Sequence, residues 1–332
     1  MLKPLIFTFL FCVFSVSFAQ VKNVDWSKNA TIYEVNVRQF TPEGTFNAFA
    51  KHLPRLKKMG VDILWLMPIH PIGEKNRKGE LGSYYAVRDY KGVNPEFGTP
   101  EDFKKLVDEA HALGMRVILD WVANHSSPDN VWLDHCRQHW YTLDSAGYLQ
   151  PTLGTDWWDV ADLNYNNPEM RAEMIESLKF WVKEFDVDGY RCDVADYVPT
   201  DFWNDVRREL DAIKPVFMLA EAENTEHHEK AFDMSYAWEF HHIMNNIAKG
   251  EMKLAAIHEY FAKNKFKAAD YRMQFTSNHD ENSWNGTETE RYGDRRFLFA
   301  VLASTIEGMP LVYSGQESDF NRRLKFFDKD QI

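Results

Sequence analysis

Residues 99–120 read TPEDFKKLVDEAHALGMRVILD, and this stretch sets the rhythm of the whole chain. Thr99 can cap a helix and Pro100 suits its first turn. Phe103, Leu106, Val107 and Ala110 then recur at helical spacing. Met115 to Asp120 follows as an apolar run of the kind a strand buried on both faces requires, and it closes on a carboxylate.

The same unit repeats in both directions. Toward the N-terminus, Thr31 to Phe40 alternates apolar and polar residues and reads as a strand. Phe46, Phe49, Leu53, Leu56 and Met59 form a helical stripe that Gly60 stops, and Val61 to Met67 is a second buried strand. Toward the C-terminus, Met170, Met174, Leu178, Trp181, Val182 and Phe185 mark a helix, and Arg295 to Ile306 another. Strands are expected at 187–193, 215–221, 233–238, 272–279 and 309–313. Eight strands with helical connections predict an α/β fold, a TIM-type (β/α)8 barrel. A doubly wound sheet would carry a Gly-rich phosphate fingerprint after its first strand, and none is present. The rhythm breaks over residues 126–165, too long for an ordinary connection, so this stretch reads as an excursion inserted after strand 3. The barrel then takes residues 20–125 and 166–332.

Thirty-eight basic against 50 acidic residues give a net charge of −12, which excludes nucleic acid and anionic membranes as partners. Aromatics reach 15% with 11 Trp, a composition that serves sugar stacking as well as a core. Lys3, the apolar run Leu5–Phe14 and the small residues Ser17 and Ala19 read as a signal peptide over residues 1–19, implying a secreted or periplasmic protein. A lipid anchor on Cys12 is disfavoured by the bulky Phe11 before it. Of the remaining cysteines, Cys192 reads as a buried free thiol rather than the disulfide partner of Cys136.

Four strand ends carry acids: Asp120, Asp193, Glu221 and Asp280. In a parallel barrel such positions share one cleft, and paired carboxylates in a cleft are the requirement for glycosidic bond cleavage. Arg191 stands two residues before Asp193, on the same strand face, and would lower its pKa and keep it ionised as a nucleophile. Glu221 follows a wholly apolar run, so poor hydration would raise its pKa toward that of a general acid. Glu223 competes for that role from the same face. His279 beside Asp280, and His125 beside Asn124, can bind sugar hydroxyls.

These residues resemble the hallmarks of the α-amylase family of glycoside hydrolases, family 13. The matches are Asp120-Trp121-Val122-Ala123-Asn124-His125, Gly189-Tyr190-Arg191-Cys192-Asp193, the Glu221 strand end, and Asn278-His279-Asp280, all in the family's order. Two flanking segments, Ser83–Tyr90 and Asp159–Asn164, also look familial. The resemblance spans about residues 27–330. It implies Asp193 as nucleophile, Glu221 as acid/base and Asp280 as the third, transition-state-stabilising carboxylate. It further implies that Arg191 orients Asp193, that His125 and His279 bind the sugar, that Tyr85 stacks beneath it and that Asp120 supports the site. Asn124 stands where the family often places a structural Ca2+ ligand, and the excursion would be domain B. The implied mechanism is retaining, with Asp193 and Glu221 about 5–5.5 Å apart. The implied substrates are α-1,4-linked starch-like glucans or maltooligosaccharides.

Two departures stand out. Val194-Ala195-Asp196-Tyr197 replaces the Lys-His pair of many endo-acting members, which weighs against endo action and against calcium. Only Ser314–Ile332 follows the last strand, so a closing helix and a C-terminal β domain are expected to be missing, leaving an apolar flank open. Rival readings are a glucanotransferase or α-1,6-acting relative, and, from another class, a non-catalytic glucan-binding protein on the same barrel.

Overall fold

The computed structural model describes residues 23–135, 137–264 and 271–332. The signal peptide expected over residues 1–19 and the alternative disulfide through Cys136 lie outside the described residues. Among the described residues there are ten strands: β1 Ile32–Val35, β2 Ile63–Leu66, β3 Arg116–Trp121, β4 His125–Ser126, β5 Ala161–Asp162, β6 Gly189–Cys192, β7 Phe217–Ala220, β8 Met234–Tyr236, β9 Tyr271–Gln274 and β10 Met309–Tyr313. Eight of them close a barrel in the order β1-β10-β9-β8-β7-β6-β3-β2, each pair parallel. The expected (β/α)8 architecture is what the chain adopts.

Alternation along each strand divides the core into two shells. Ile32, Ile63, Trp65, Ile118, Phe217, Leu219 and Met234 fill one, inside the barrel. Tyr33, Leu64, Leu66, Val117, Leu119 and Met218 lie in the other, under the surrounding helices. Each such large side chain contributes roughly 1.5–3 kcal/mol by leaving water. Gly189 is needed where β6 meets β7: its φ is +152°, and a Cβ there would lie 1.8 Å from the Phe217 carbonyl oxygen.

Local chemistry explains where the elements start and stop. Thr99 caps the helix Pro100–Ala112, and Thr99 and Asp102 form a reciprocal capping box. The strand expected over Thr31–Phe40 is shorter than its alternation suggests. It ends at Val35, because the Asn36 side chain accepts the Gln39 N–H and starts a helix at Val37. The stripe from Phe46 to Met59 is two helices, Phe46–Ala50 and Leu53–Met59. Pro54 has no N–H to extend the first, so it opens the second.

Between β3 and the helix Pro168–Phe185 the chain forms the β4–β5 ladder, a short helix Val131–Asp134 and irregular loops. After β10 the segment to Ile332 folds back toward the β1 end. There Gln39 Nε2 donates to the Lys325 and Asp328 carbonyls, and the Ile332 N–H donates to Gln39 O. The helix Arg296–Thr305 leaves Phe297, Leu298 and Val301 exposed. Cys192 is a buried free thiol. Among the described residues no helix is long and apolar enough to cross a membrane.

Candidate active site

The C-terminal ends of the barrel strands converge on a cleft of about 490 Å³. It is lined by Asp193, Glu221, His279 and Asp280, with His125 and Tyr85 beside them. Register brings Asp120 of β3 opposite Arg191 of β6. Arg191 is fully buried and serves as the hub: its Nη1 donates to Asp120 Oδ1 at 2.8 Å and to Asp193 Oδ1 at 3.1 Å, and its Nε donates to Tyr236 Oη at 3.0 Å. Its Nη2 lies 2.8 Å from Glu221 Oε2. That last contact is a charge contact off the N–H direction, since Nη2 makes no aligned hydrogen bond.

Glu221 Oε2 instead accepts the Val194 N–H at 2.9 Å. Val194 pays for this with a left-handed backbone, φ 36° and ψ 49°, rare for a β-branched residue and costing about 1–3 kcal/mol. Glu223, the competing candidate, is turned away: its Oε1 accepts the Glu239 N–H at the start of the helix Trp238–Lys249.

Burial lifts the Glu221 carboxyl above its ordinary range, with Arg191 opposing. The expectation for Asp193 needs correction. Burial pushes it well above the carboxylate range too; Arg191 pulls it down but is outweighed, and Glu221 and Asp120 add to the rise. An ion pair inside a dry cleft does not guarantee a low pKa, because desolvation acts on the same charge.

The two histidines have different surroundings. His125 Nδ1 accepts the Asn124 amide at 3.1 Å, and burial lowers its pKa to about 3, so the ring is neutral. His279 Nδ1 lies 2.6 Å from Glu34 Oε1, and its Nε2 lies 2.7 Å from Tyr85 Oη and 3.4 Å from Asp280 Oδ2. The Tyr85 ring is nearly parallel to that of His279, and its hydroxyl donates to Asp120 Oδ2 at 3.0 Å, an oxygen that also accepts Trp65 Nε1.

Asn124 was expected to hold calcium. Its amide nitrogen donates to Thr152 Oγ1, which donates on to Asp162 Oδ1. The other Asp162 oxygen accepts from Thr142. Among the described residues no three His, Cys, Asp or Glu side chains group for a metal.

Several lining residues carry no signature legible in sequence. Trp157 and Trp158 come from the excursion, Trp284 from the turn after Asp280, and Phe326 and Phe327 from the C-terminal segment. Lys78 pairs with Asp159 at 2.8 Å and ties the loop after β2 to the excursion. On the far side of Glu221 a smaller cavity is lined by Tyr197, Glu223 and Trp238. Asp196, in place of the missing Lys, is held by His227 Nε2 at 2.9 Å.

Residues 12–330 match the family model described as the alpha-amylase catalytic domain. Alpha-amylase 3 of Dictyoglomus thermophilum is 29% identical, the match covering 95% of this chain and 69% of that protein. The crystal structure of an alpha-amylase from Lactobacillus plantarum superposes with a TM-score of 0.85 at 37% identity, over 92% of this chain and 76% of that one. That of a noncanonic maltogenic alpha-amylase from Thermotoga neapolitana gives 0.84 at 36%, over 92% and 72%. With the match spanning nearly the whole barrel and the carboxylates gathered at its mouth, the chain belongs to the alpha-amylase family of glycosidases, as its catalytic domain.

Proposed function

We propose that this chain is a retaining hydrolase of α-1,4-glucosidic bonds in starch-like glucans or maltooligosaccharides. The observation that carries the reading is Arg191 joining Asp193 and Glu221 at one aromatic-walled cleft. Two raised acids sharing one cation titrate as a pair and hold a single proton between their two steps. The aligned Arg191 N–H favours charge on Asp193, so the proton rests on Glu221. Val194 occupies Oε2, which leaves Oε1 to carry it.

The reaction then follows. Glu221 protonates the glycosidic oxygen while Asp193 attacks the anomeric carbon, and the leaving chain departs on the Glu221 side, past Tyr197 and Trp238. Glu221 next takes a proton from water, which attacks the glycosyl-Asp193 ester and restores both acids. Asp280 accepts from sugar hydroxyls and stabilises the distorted ring. His125 donates to a sugar hydroxyl, His279 lies beside the sugar with its two nitrogens engaged by Glu34 and Tyr85, Tyr85 packs against the sugar face, and Asp120 with Arg191 holds Asp193 in place. Calcium has no step here. Chelation is expected to leave the melting transition unmoved, and a clear drop on adding EDTA would restore Asn124 as a calcium ligand.

The likeness to a maltogenic enzyme, and Asp196-Tyr197 in place of Lys-His, favour short maltooligosaccharide products. The test is maltoheptaose digestion followed by proton NMR of the newly released reducing end. The α-anomer should appear first and mutarotate to β. Initial β-anomer would overturn retention, transfer products would favour a glucanotransferase, and uncleaved substrate would favour a glucan-binding role.

A further inference from the structure

Glu34 sits inward on β1, wholly buried, in the midst of the apolar run Ile32-Tyr33-Glu34-Val35. It belongs to none of the family signatures, and barrel register sets it beside Trp65 and Tyr313. We propose that Glu34 is a positioning residue that holds His279 as an imidazolium, so that the ring is a donor at both nitrogens and fixes Tyr85 and Asp280 around the sugar site.

The proton count carries this. Tyr85 has one hydroxyl proton, and it goes to Asp120 Oδ2 at 3.0 Å. The Tyr85 oxygen can therefore only accept from His279 Nε2 at 2.7 Å, so Nε2 bears a proton. At the other nitrogen, Glu34 Oε1 lies at 2.6 Å, and among the described residues Glu34 Oε2 has no partner. Burial lifts the Glu34 carboxyl above its ordinary range while His279 and Arg191 oppose it; with Glu34 ionised, Nδ1–H is the donor that satisfies it. Both ring nitrogens are protonated, and the ring is a cation.

The ionisable groups facing the pair come from every side. Asp280, Tyr85 and Arg191 surround His279, and Arg191, Asp120, Tyr236 and Tyr313 surround Glu34. Burial alone would lower the His279 pKa; Asp280 and Glu34 outweigh burial and Arg191 together and lift it to about 9. A folded-state value above the ordinary one gives stability present below about pH 6.5 and lost as pH rises through about 9.

The test is Glu34→Gln, nearly isosteric and uncharged. His279 is followed by imidazole NMR titration, and kcat/KM against pH on maltoheptaose is measured in parallel. Loss of the facing charge should lower the His279 pKa by about one unit or more and draw the alkaline limb of the profile down with it. A His279 titration and an alkaline limb both unchanged in a folded variant would overturn the proposal. Should the variant not fold, the wild-type titration decides alone: a His279 pKa at or below about 6.5 sinks the idea. The pH profile rests on the hydrolase reading and the NMR titration does not, so failure of one is distinguishable from failure of the other.

Discussion

Asp193→Ala is expected to lower kcat on maltoheptaose on the order of 10^4 to 10^6-fold, the scale seen when a nucleophile is removed from a preorganised site. No other carboxylate can substitute for it. Glu221 is held on its other side by the Val194 amide, and Asp280 lies against His279. Binding should survive, because the cleft walls of Tyr85, Trp158 and Trp284 are untouched. The fold should survive as well. Asp193 is a buried acid with a raised pKa, so removing it relieves like-charge crowding around Asp120 and Glu221. The measurement is reducing-sugar release together with a thermal melt. A variant that folds and keeps more than about one part in 10^3 of the wild-type kcat would remove Asp193 from the nucleophile role.

Arg191→Leu should have the largest effect on stability. Its cation is fully buried against Asp120, Asp193 and Glu221, and deleting it leaves three desolvated carboxyls facing each other. Breaking a buried pair from one side costs about 3–5 kcal/mol. The loss should depend on pH in a fixed direction. Asp193 and Glu221 already sit above their ordinary range through burial, so the folded state binds more protons than the unfolded one. Stability therefore falls as pH rises from the ordinary carboxylate pKa through the raised ones. Without Arg191 those values rise further, and the fall steepens. Urea denaturation of wild type and variant at pH 4.5 and 7.5 checks this. The gap should be smaller at the acid end, where the carboxyls are neutral and need no cation. An equal gap at both pH values would show that Arg191 contributes packing rather than charge.

How much of the site was legible in the sequence depended on whether a residue's role was local. Asp120, Asp193 and Glu221 lie at the ends of strand-like runs, Asp280 follows the run 272–279, and Arg191 stands two places before Asp193, so strand polarity in a parallel barrel placed them together. Glu34 also lies on a strand, yet a single acid in a four-residue apolar run looks like an exception to the pattern rather than part of a site. Trp158, Trp284 and Phe327 lie in loops without a period, and nothing near them in sequence says that they meet. The strand expected to reach Phe40 failed for a local reason that was available: Asn36 caps the helix that follows. Pro54 was an equally available break in the helical stripe.

The sequence by itself determined the barrel and the acids at its mouth, because side-chain period and strand polarity are properties of neighbouring residues. Protonation was decided only by the tertiary structure. Asp193 has an arginine two residues away and was expected to sit low, whereas burial among Glu221 and Asp120 lifts it. His125 and His279 both follow an asparagine or lie one residue from one, yet one is neutral and the other charged. The difference is the pair of carboxylates at His279: Asp280 beside it, and Glu34, which is 245 positions away in the chain and 2.6 Å away in the fold. Charge in a desolvated cleft depends on what lies within a few ångströms in space, and only closure of the barrel brings those partners within reach.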